Sequence, residues 1–216
     1  MTHPKAPDEW FNQRIIEGNG IFDRDSYELM MSAVKSFRTA IDIGAHVGTW
    51  SIPMASHFKQ VMSFEPDWVN FKYLLANTSG INNIIKHNIA LGAANEWVGM
   101  EKGSENSGQS FISTNTKNLS QPILMAALDD YDLSGVDLIK IDTEGFELNV
   151  LRGAAFTIAK CSPVIMVELN GLGKRYGIMD SQVKEFLESL SYKLFGKQNK
   201  DYVYVRKYDG QTYPLS

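Results

Sequence analysis

Thr39-Ala40-Ile41-Asp42-Ile43-Gly44-Ala45-His46-Val47-Gly48 is the stretch on which the fold turns. Thr39 to Ile43 reads as a short apolar strand ending at Gly44. After Gly48 a helix is expected to about Phe58, with Pro53 tolerated only in its first turn. The two glycines let the backbone turn tightly and come close to a ligand with no Cβ in the way. A helix opening at such a turn offers free N–H groups and partial positive charge to an anion. The spacing is G-x-x-x-G, not the G-x-G-x-x-G of dinucleotide binders. It suits a carboxylate or a single nucleoside better than a pyrophosphate. A plain strand-to-helix turn with convenient glycines is the competing reading.

Working outward, strands and helices alternate. Gln60 to Phe64 is a second strand and Trp68 to Asn77 a helix. Asn83 to His87 is a third strand. Val136 to Asp142 is a fourth, followed by a helix to Arg152 that stops at Gly153. Pro163 to Leu169 is a fifth. Asp180 caps a helix carrying Val183, Phe186, Leu187 and Leu190 at helical spacing. Tyr192 to Phe195 and Tyr202 to Arg206 form a hairpin across Gly196 to Lys200. Upstream, a short helix lies around Trp10 to Ile16. A second runs from Asp25, its first-turn cap, to Phe37, with Met30, Ala33, Val34 and Phe37 on one face. Lys102 to Gln121 is a polar surface loop broken by a short strand near Phe111-Ile112. The expected division is a helical extension over 1–38 and one globular domain over 39–216.

Alternation of this kind implies an α/β fold, a mostly parallel sheet with helices on both faces. The 216 residues suffice for one large domain, and 44% hydrophobic residues give it a core. A single cysteine, Cys161, excludes a disulfide framework or a Cys-rich zinc site. A net charge of −4 argues against nucleic acid as partner. The polar N-terminus and the lack of a long apolar run point to a cytoplasmic protein.

In parallel sheets, ligands sit beyond the carboxyl ends of the strands, which directs attention to the residues there. Glu65 ends the second strand seventeen residues after Gly48. An acid ~20 residues on can accept from both ribose hydroxyls. Pro66 stops that strand, and Trp68 can pack on an adenine. The alternatives are a solvated Glu and a core Trp. Asn88, with Ile89 beside it, can meet an adenine edge or merely serve a turn. In Asp137 to Glu147, Leu138, Lys140 and Asp142 share one strand face and Ile139 and Ile141 the other. Lys140 is thus a cation in a buried strand and needs a carboxylate, with Glu168, Asp142 and Glu144 as candidates. A purely structural ion pair is the alternative.

These segments resemble the FkbM family of S-adenosylmethionine-dependent methyltransferases. The resemblance rests on Asp42 to Gly48, Phe64-Glu65-Pro66, Leu128-Asp129-Asp130, Ile139 to Glu147, Leu151-Arg152-Gly153-Ala154 and Val167-Glu168-Leu169. It spans Ala40 to Asn170. The run Ile139-Lys140-Ile141-Asp142-Thr143-Glu144-Gly145-Phe146-Glu147 is its most specific part. The resemblance implies a Rossmann-like class I methyltransferase fold, whose seven-stranded sheet ends in an antiparallel hairpin. It implies that Asp42, Gly44, Ala45, His46, Val47 and Gly48 hold the methionine part of S-adenosyl-L-methionine. Glu65, with Pro66 beside it, would hold the ribose, and Asn88 and Ile89 the adenine. His46 stands where the family usually has Asn.

The expected activity is O-methylation of a hydroxyl on a sugar, glycan or small metabolite. Asp142 or Glu144 would be the base and Lys140 its tuning cation, with His46 a second candidate base. Asp142 also borders the cofactor. No metal is assigned, although Asp142, Glu144 and Glu168 form a set that suits Mg²⁺. N-methylation of a small molecule or protein, and non-catalytic nucleoside binding, are the alternatives. A nicotinamide dehydrogenase is opposed by the glycine spacing. The expected partner is the acceptor, with Trp10-Phe11 and the second helix available to a lid or a homodimer contact.

Overall fold

A computed structural model describes residues 3–102, 106–113 and 122–207. Helices α1 (Glu9–Glu17) and α2 (Arg24–Ala33) precede strand β1 (Thr39–Ile43). Then follow α3 (Ser51–Ala55), β2 (Gln60–Phe64), α4 (Trp68–Asn77), β3 (Ile84–His87), β4 (Ala90–Leu91) and β5 (Glu96–Glu101). Beyond them come β6 (Phe111–Ser113), β7 (Ile123–Ala126), β8 (Val136–Ile141), α5 (Glu147–Arg152) and α6 (Ala155–Cys161). The last are β9 (Val164–Glu168), α7 (Asp180–Ser189), β10 (Tyr192–Gln198) and β11 (Asp201–Arg206).

The main sheet has seven strands in the order β10-β11-β9-β8-β1-β2-β3. From β3 to β9 the pairings are parallel. β11 is antiparallel to both β9 and β10. The period-2 alternation of its strands divides the interior into two cores. Ile41, Ile43, Ile139, Ile141, Ile165 and Val167 enter one, with side chains of α5 and α7. Ala40, Val61, Leu138 and Met166 enter the other, with Tyr27, Met30 and Ala33 of α2 and Met54 of α3. Full burial of one such side chain, Ile139 for example, contributes about 1.5–3 kcal/mol.

Several expected boundaries shift for identifiable reasons. α2 starts after Asp23, whose side chain makes no capping bond, and Asp25 lies inside its first turn. α2 ends at Ala33, and Val34 is already extended. The carbonyls of Phe37 and Arg38 accept from Lys59 and Gln60 N–H, which draws the chain out toward β1. α3 is shorter than expected, and Pro53 falls in its first turn. α5 ends at Arg152 with Gly153 as its C-cap, as expected. The chain turns there and restarts as α6, whose Phe156 and Thr157 N–H groups donate to the Asp129 carboxylate. Asp180 is the first residue of α7 rather than its cap, and Gln182 Oε1 accepts from Met179 N–H instead. β10 runs on to Gln198 through an irregularity between Leu194 and Gly196, so the hairpin turn is only Asn199-Lys200. A Cβ on Gly196 would lie 2.8 Å from Leu29 Cδ1, so its absence lets α2 pack there.

A second sheet, of four strands ordered β4-β7-β5-β6, was not expected. It shows that Phe111-Ile112 pairs with Met100-Glu101 instead of standing alone in a loop. Parts of the expected loop, 103–105 and 114–121, lie outside the described residues. Among the described residues, no helix is long and apolar enough to cross a membrane.

Candidate functional site

At the carboxyl end of β1 the chain turns sharply. Gly44 has φ +77, and a Cβ on it would lie 1.8 Å from Asp142 O. Only glycine lets the ends of β1 and β8 come this close. Gly44 and Ala45 N–H both donate to Phe64 O at 3.0 Å. His46 N–H donates to Glu65 Oε2 at 2.8 Å. These N–H groups therefore tie β1 to β2.

Beneath the turn lies a buried ionic group. Lys140 Nζ is 3.4 Å from Asp42 Oδ1 and 3.4 Å from Asp142 Oδ2. It also donates to Gly44 O at 3.3 Å. Asp42 Oδ2 accepts from Ser51 Oγ at 2.6 Å, and Ser51 meets Ser63 Oγ at 2.7 Å. Burial pulls the Lys140 ammonium toward neutrality, but Asp142 and Asp42 outweigh it and hold its proton more tightly than usual. Of the three expected candidates Asp142 pairs with Lys140, and Asp42, directly across the β1–β8 register, is a second partner that was not expected.

Glu65 is buried, with Oε1 accepting from Asp67 N–H at 2.9 Å. Burial pushes its carboxyl up to about 8, against the two N–H donors. His46 has φ +51 and is also buried, which pulls its imidazole down to about 4. A base so weak, with Nε2 already 2.7 Å from Ser107 Oγ, does not suit the proton-accepting role weighed for it.

These elements enclose a cavity of about 390 Å³. Its lining includes Gly44, His46, Glu65, Pro66, Ile89, Lys140, Asp142 and Glu144 from the expected set. Glu168 joins them, and carboxylate oxygens of Asp142, Glu144 and Glu168 converge to within 4.8 Å of one another. Burial and the neighbouring Asp142 charge push Glu144 up to about 8 and Glu168 up to about 9. Glu147 organises this end. Its Oε1 accepts from Thr143 and Gly145 N–H, holding the turn in which Glu144 takes φ +55.

Other expected residues lie outside the lining. Asp42 sits under Lys140. Ala45 packs on Phe71 and Leu74, and Val47 on Phe11 and Ile15. Gly48, at φ +93, makes room for Leu74 and Thr78. Asn88 spends its amide N–H groups on the Glu65 and Pro66 carbonyls, so it shapes the ribose-side loop and leaves no donor for an adenine. Trp68 is 54% exposed and stacks on Phe71, neither core nor cavity wall. Trp10 and Phe11, available above to a lid or a dimer contact, line the cavity, and so do Phe22, Asn106, residues 108–112 and Lys200, to which sequence reasoning gave no role in the site. No local signal marks them, because they arrive from distant parts of the chain.

The family model for the Methyltransferase FkbM domain matches residues 42–194. Among solved structures, methyltransferase FkbM from Methylobacillus flagellatus KT is similar, with TM-score 0.57 and 16% identity. The match covers 93% of this chain and 56% of that one, so the chain spans little more than half that protein's length. Ribosomal protein L11 methylase from Lactobacillus delbrueckii subsp. bulgaricus matches with TM-score 0.53 and 13% identity, over 85% of this chain and 77% of that one. SMU.1697c from Streptococcus mutans, in complex with SAH, matches with TM-score 0.52 and 10% identity, over 84% and 94%. At these identities the likeness is one of fold. No curated protein sequence matches the chain.

Proposed function

Because the chain belongs to the FkbM methyltransferase family, we propose that it methylates a hydroxyl of a sugar, glycan or small metabolite, with S-adenosyl-L-methionine as cofactor. The hydroxyl reading rests on one observation, the convergence of Asp142, Glu144 and Glu168 in the cavity that Glu65 also lines. A hydroxyl must lose its proton as its oxygen is alkylated, whereas an amine offers a ready lone pair and needs little basic help.

The residues present fit the cofactor. A cavity of about 390 Å³ is the size of a nucleoside site. Each Glu65 oxygen accepts one N–H and keeps capacity for a ribose hydroxyl. Pro66, Ile89, Ala90 and Leu91 supply apolar wall for a base. His46 Nδ1 is a buried acceptor with no partner. When bound, the cofactor supplies a methyl group activated by its sulfonium charge.

The chain's part is to position the acceptor and take its proton. Lys140 holds the Asp142 carboxylate at the end of β8. Glu144, with its proton affinity raised into the neutral range, is matched to accepting a proton there. Asp142 and Glu144 together form the basic side of the site.

Calorimetric titration with S-adenosylhomocysteine tests the reading. Glu65→Ala is expected to weaken binding about 100-fold, since charge-assisted bonds to two hydroxyls are lost, and NADH should give no heat. Well-folded wild-type protein that does not bind would overturn the proposal. Acceptors follow from a panel of glycans and hydroxylated metabolites scored by S-adenosylhomocysteine release.

Affinity should also depend on pH in a definite direction. Ribose hydroxyls donate to the ionised carboxylate, so below about pH 8 binding must release the Glu65 proton. S-adenosylhomocysteine affinity is therefore expected to rise with pH, by at most about tenfold per unit up to about pH 8, and then level off. Titrations in buffers of different ionisation enthalpy would show the released proton. A pH-independent affinity that matches Glu65→Gln would contradict this.

A further inference from the structure

Asp8 caps α1, its Oδ1 accepting from Phe11 N–H at 2.9 Å. Its other oxygen, Oδ2, accepts from both Ser107 N–H, at 3.1 Å, and Ser107 Oγ–H, at 2.5 Å. A carboxylate has no proton to give, so the one hydroxyl proton of Ser107 is committed to Asp8. Ser107 Oγ can then only accept from His46 Nε2, 2.7 Å away. Nε2 must therefore carry the ring proton. In a neutral imidazole this leaves Nδ1 as a bare acceptor. Nδ1 is buried and has no partner. An orphaned buried acceptor is costly, and left-handed backbone at His46 adds to the cost. Both costs fall on one residue that lines the cavity.

The same chain of bonds seats the N-terminal segment. Phe11 packs on the His46 ring with centroids 4.2 Å apart and stacks on Phe22 at 4.8 Å. Ala6, Phe11 and Ile15 form a small core with Val47 of the β1 turn. Asn70 Nδ2 donates to Ser107 O at 3.0 Å, so α4 grips the same residue. None of α1 belongs to the matched stretch 42–194.

We infer that Asp8 and Ser107 are positioning residues for the cofactor: they fix the His46 tautomer, so that Nδ1 accepts from an N–H or O–H of the S-adenosyl ligand, and they clasp α1 over the occupied cavity. This rests on the methyltransferase reading above. The ligand's ammonium group and ribose hydroxyls are the donors of suitable chemistry.

Trp10 and Trp50 both line the cavity, so tryptophan fluorescence in stopped flow can follow S-adenosylhomocysteine on the full chain. Ser107→Ala and Asp8→Ala are each expected to release the ligand about tenfold faster, with Ser107→Thr restoring the wild-type rate. Nitrogen NMR of the wild-type histidines should show His46 protonated at Nε2, and Ser107→Ala should lose that preference. A wild-type Nδ1–H tautomer would overturn the inference without any variant. So would release from folded Ser107→Ala within about twofold of wild type. In that case, tight binding by the wild type leaves the methyltransferase reading standing. A wild type that does not bind at all removes both.

Discussion

Lys140→Met is expected to destabilise the chain by about 3–5 kcal/mol, a fall in Tm of roughly 10 °C for a chain of this length. Lys140 is 2% exposed, and its ammonium lies between Asp42, which is fully buried, and Asp142. Asp42 Oδ1 has no hydrogen-bond donor of its own, only the ionic contact with Lys140. Methionine has similar length and fills the same space, so the loss reports charge rather than volume. The rescue is Asp42→Asn in the same chain. Neutralising the orphaned carboxylate while keeping an acceptor for Ser51 should recover about 0.5–3 kcal/mol. Denaturation of the two single variants and the double variant measures this directly. Additive losses would show that Lys140 and Asp42 do not act as a pair.

Asp142→Asn is expected to lower kcat by about 10²–10⁴. The amide keeps the shape of the side chain and removes its basicity and charge. Glu144→Gln, measured alongside, identifies which of the two takes the proton, because that variant carries the larger loss. If both variants turn over at near wild-type rate, the acceptor atom needs no base, and an amine acceptor becomes the better reading. The same pair of variants thus tests both the residue roles and the class of acceptor.

The central part of the fold was legible because its strands carry their own signal. Thr39–Ile43 and Gln60–Phe64 are bounded as read, and so is the helix Trp68–Asn77. Lys140 in an otherwise apolar strand announced a buried ion pair. Its second partner was harder to see, since Asp42 lies across a parallel register 98 residues earlier in the chain. The second sheet was hidden for a similar reason. β4 has two residues and β6 three, too short for a period to show, and β5 alternates only weakly. Asn88 and Trp68 mark a different limit. Each has the chemistry for an adenine, but backbone carbonyls claim the first and the packing of α4 turns the second outward. The cavity roof was unreadable, because Asp8, His46 and Ser107 meet across separations of 99 and 61 residues.

Strand order also governs when the sheet can be completed during synthesis. The last described strand, β11, is not at an edge. It lies between β9 and β10, with Val203 and Tyr204 buried. The central pair β1 and β8 likewise waits for about a hundred residues of intervening chain. A nascent chain on the ribosome thus holds β9 with one edge unpaired until β11 emerges. Such an edge templates intermolecular pairing. Yield of active protein should accordingly respond to chaperone supply and growth temperature more than the stability of the finished fold would suggest.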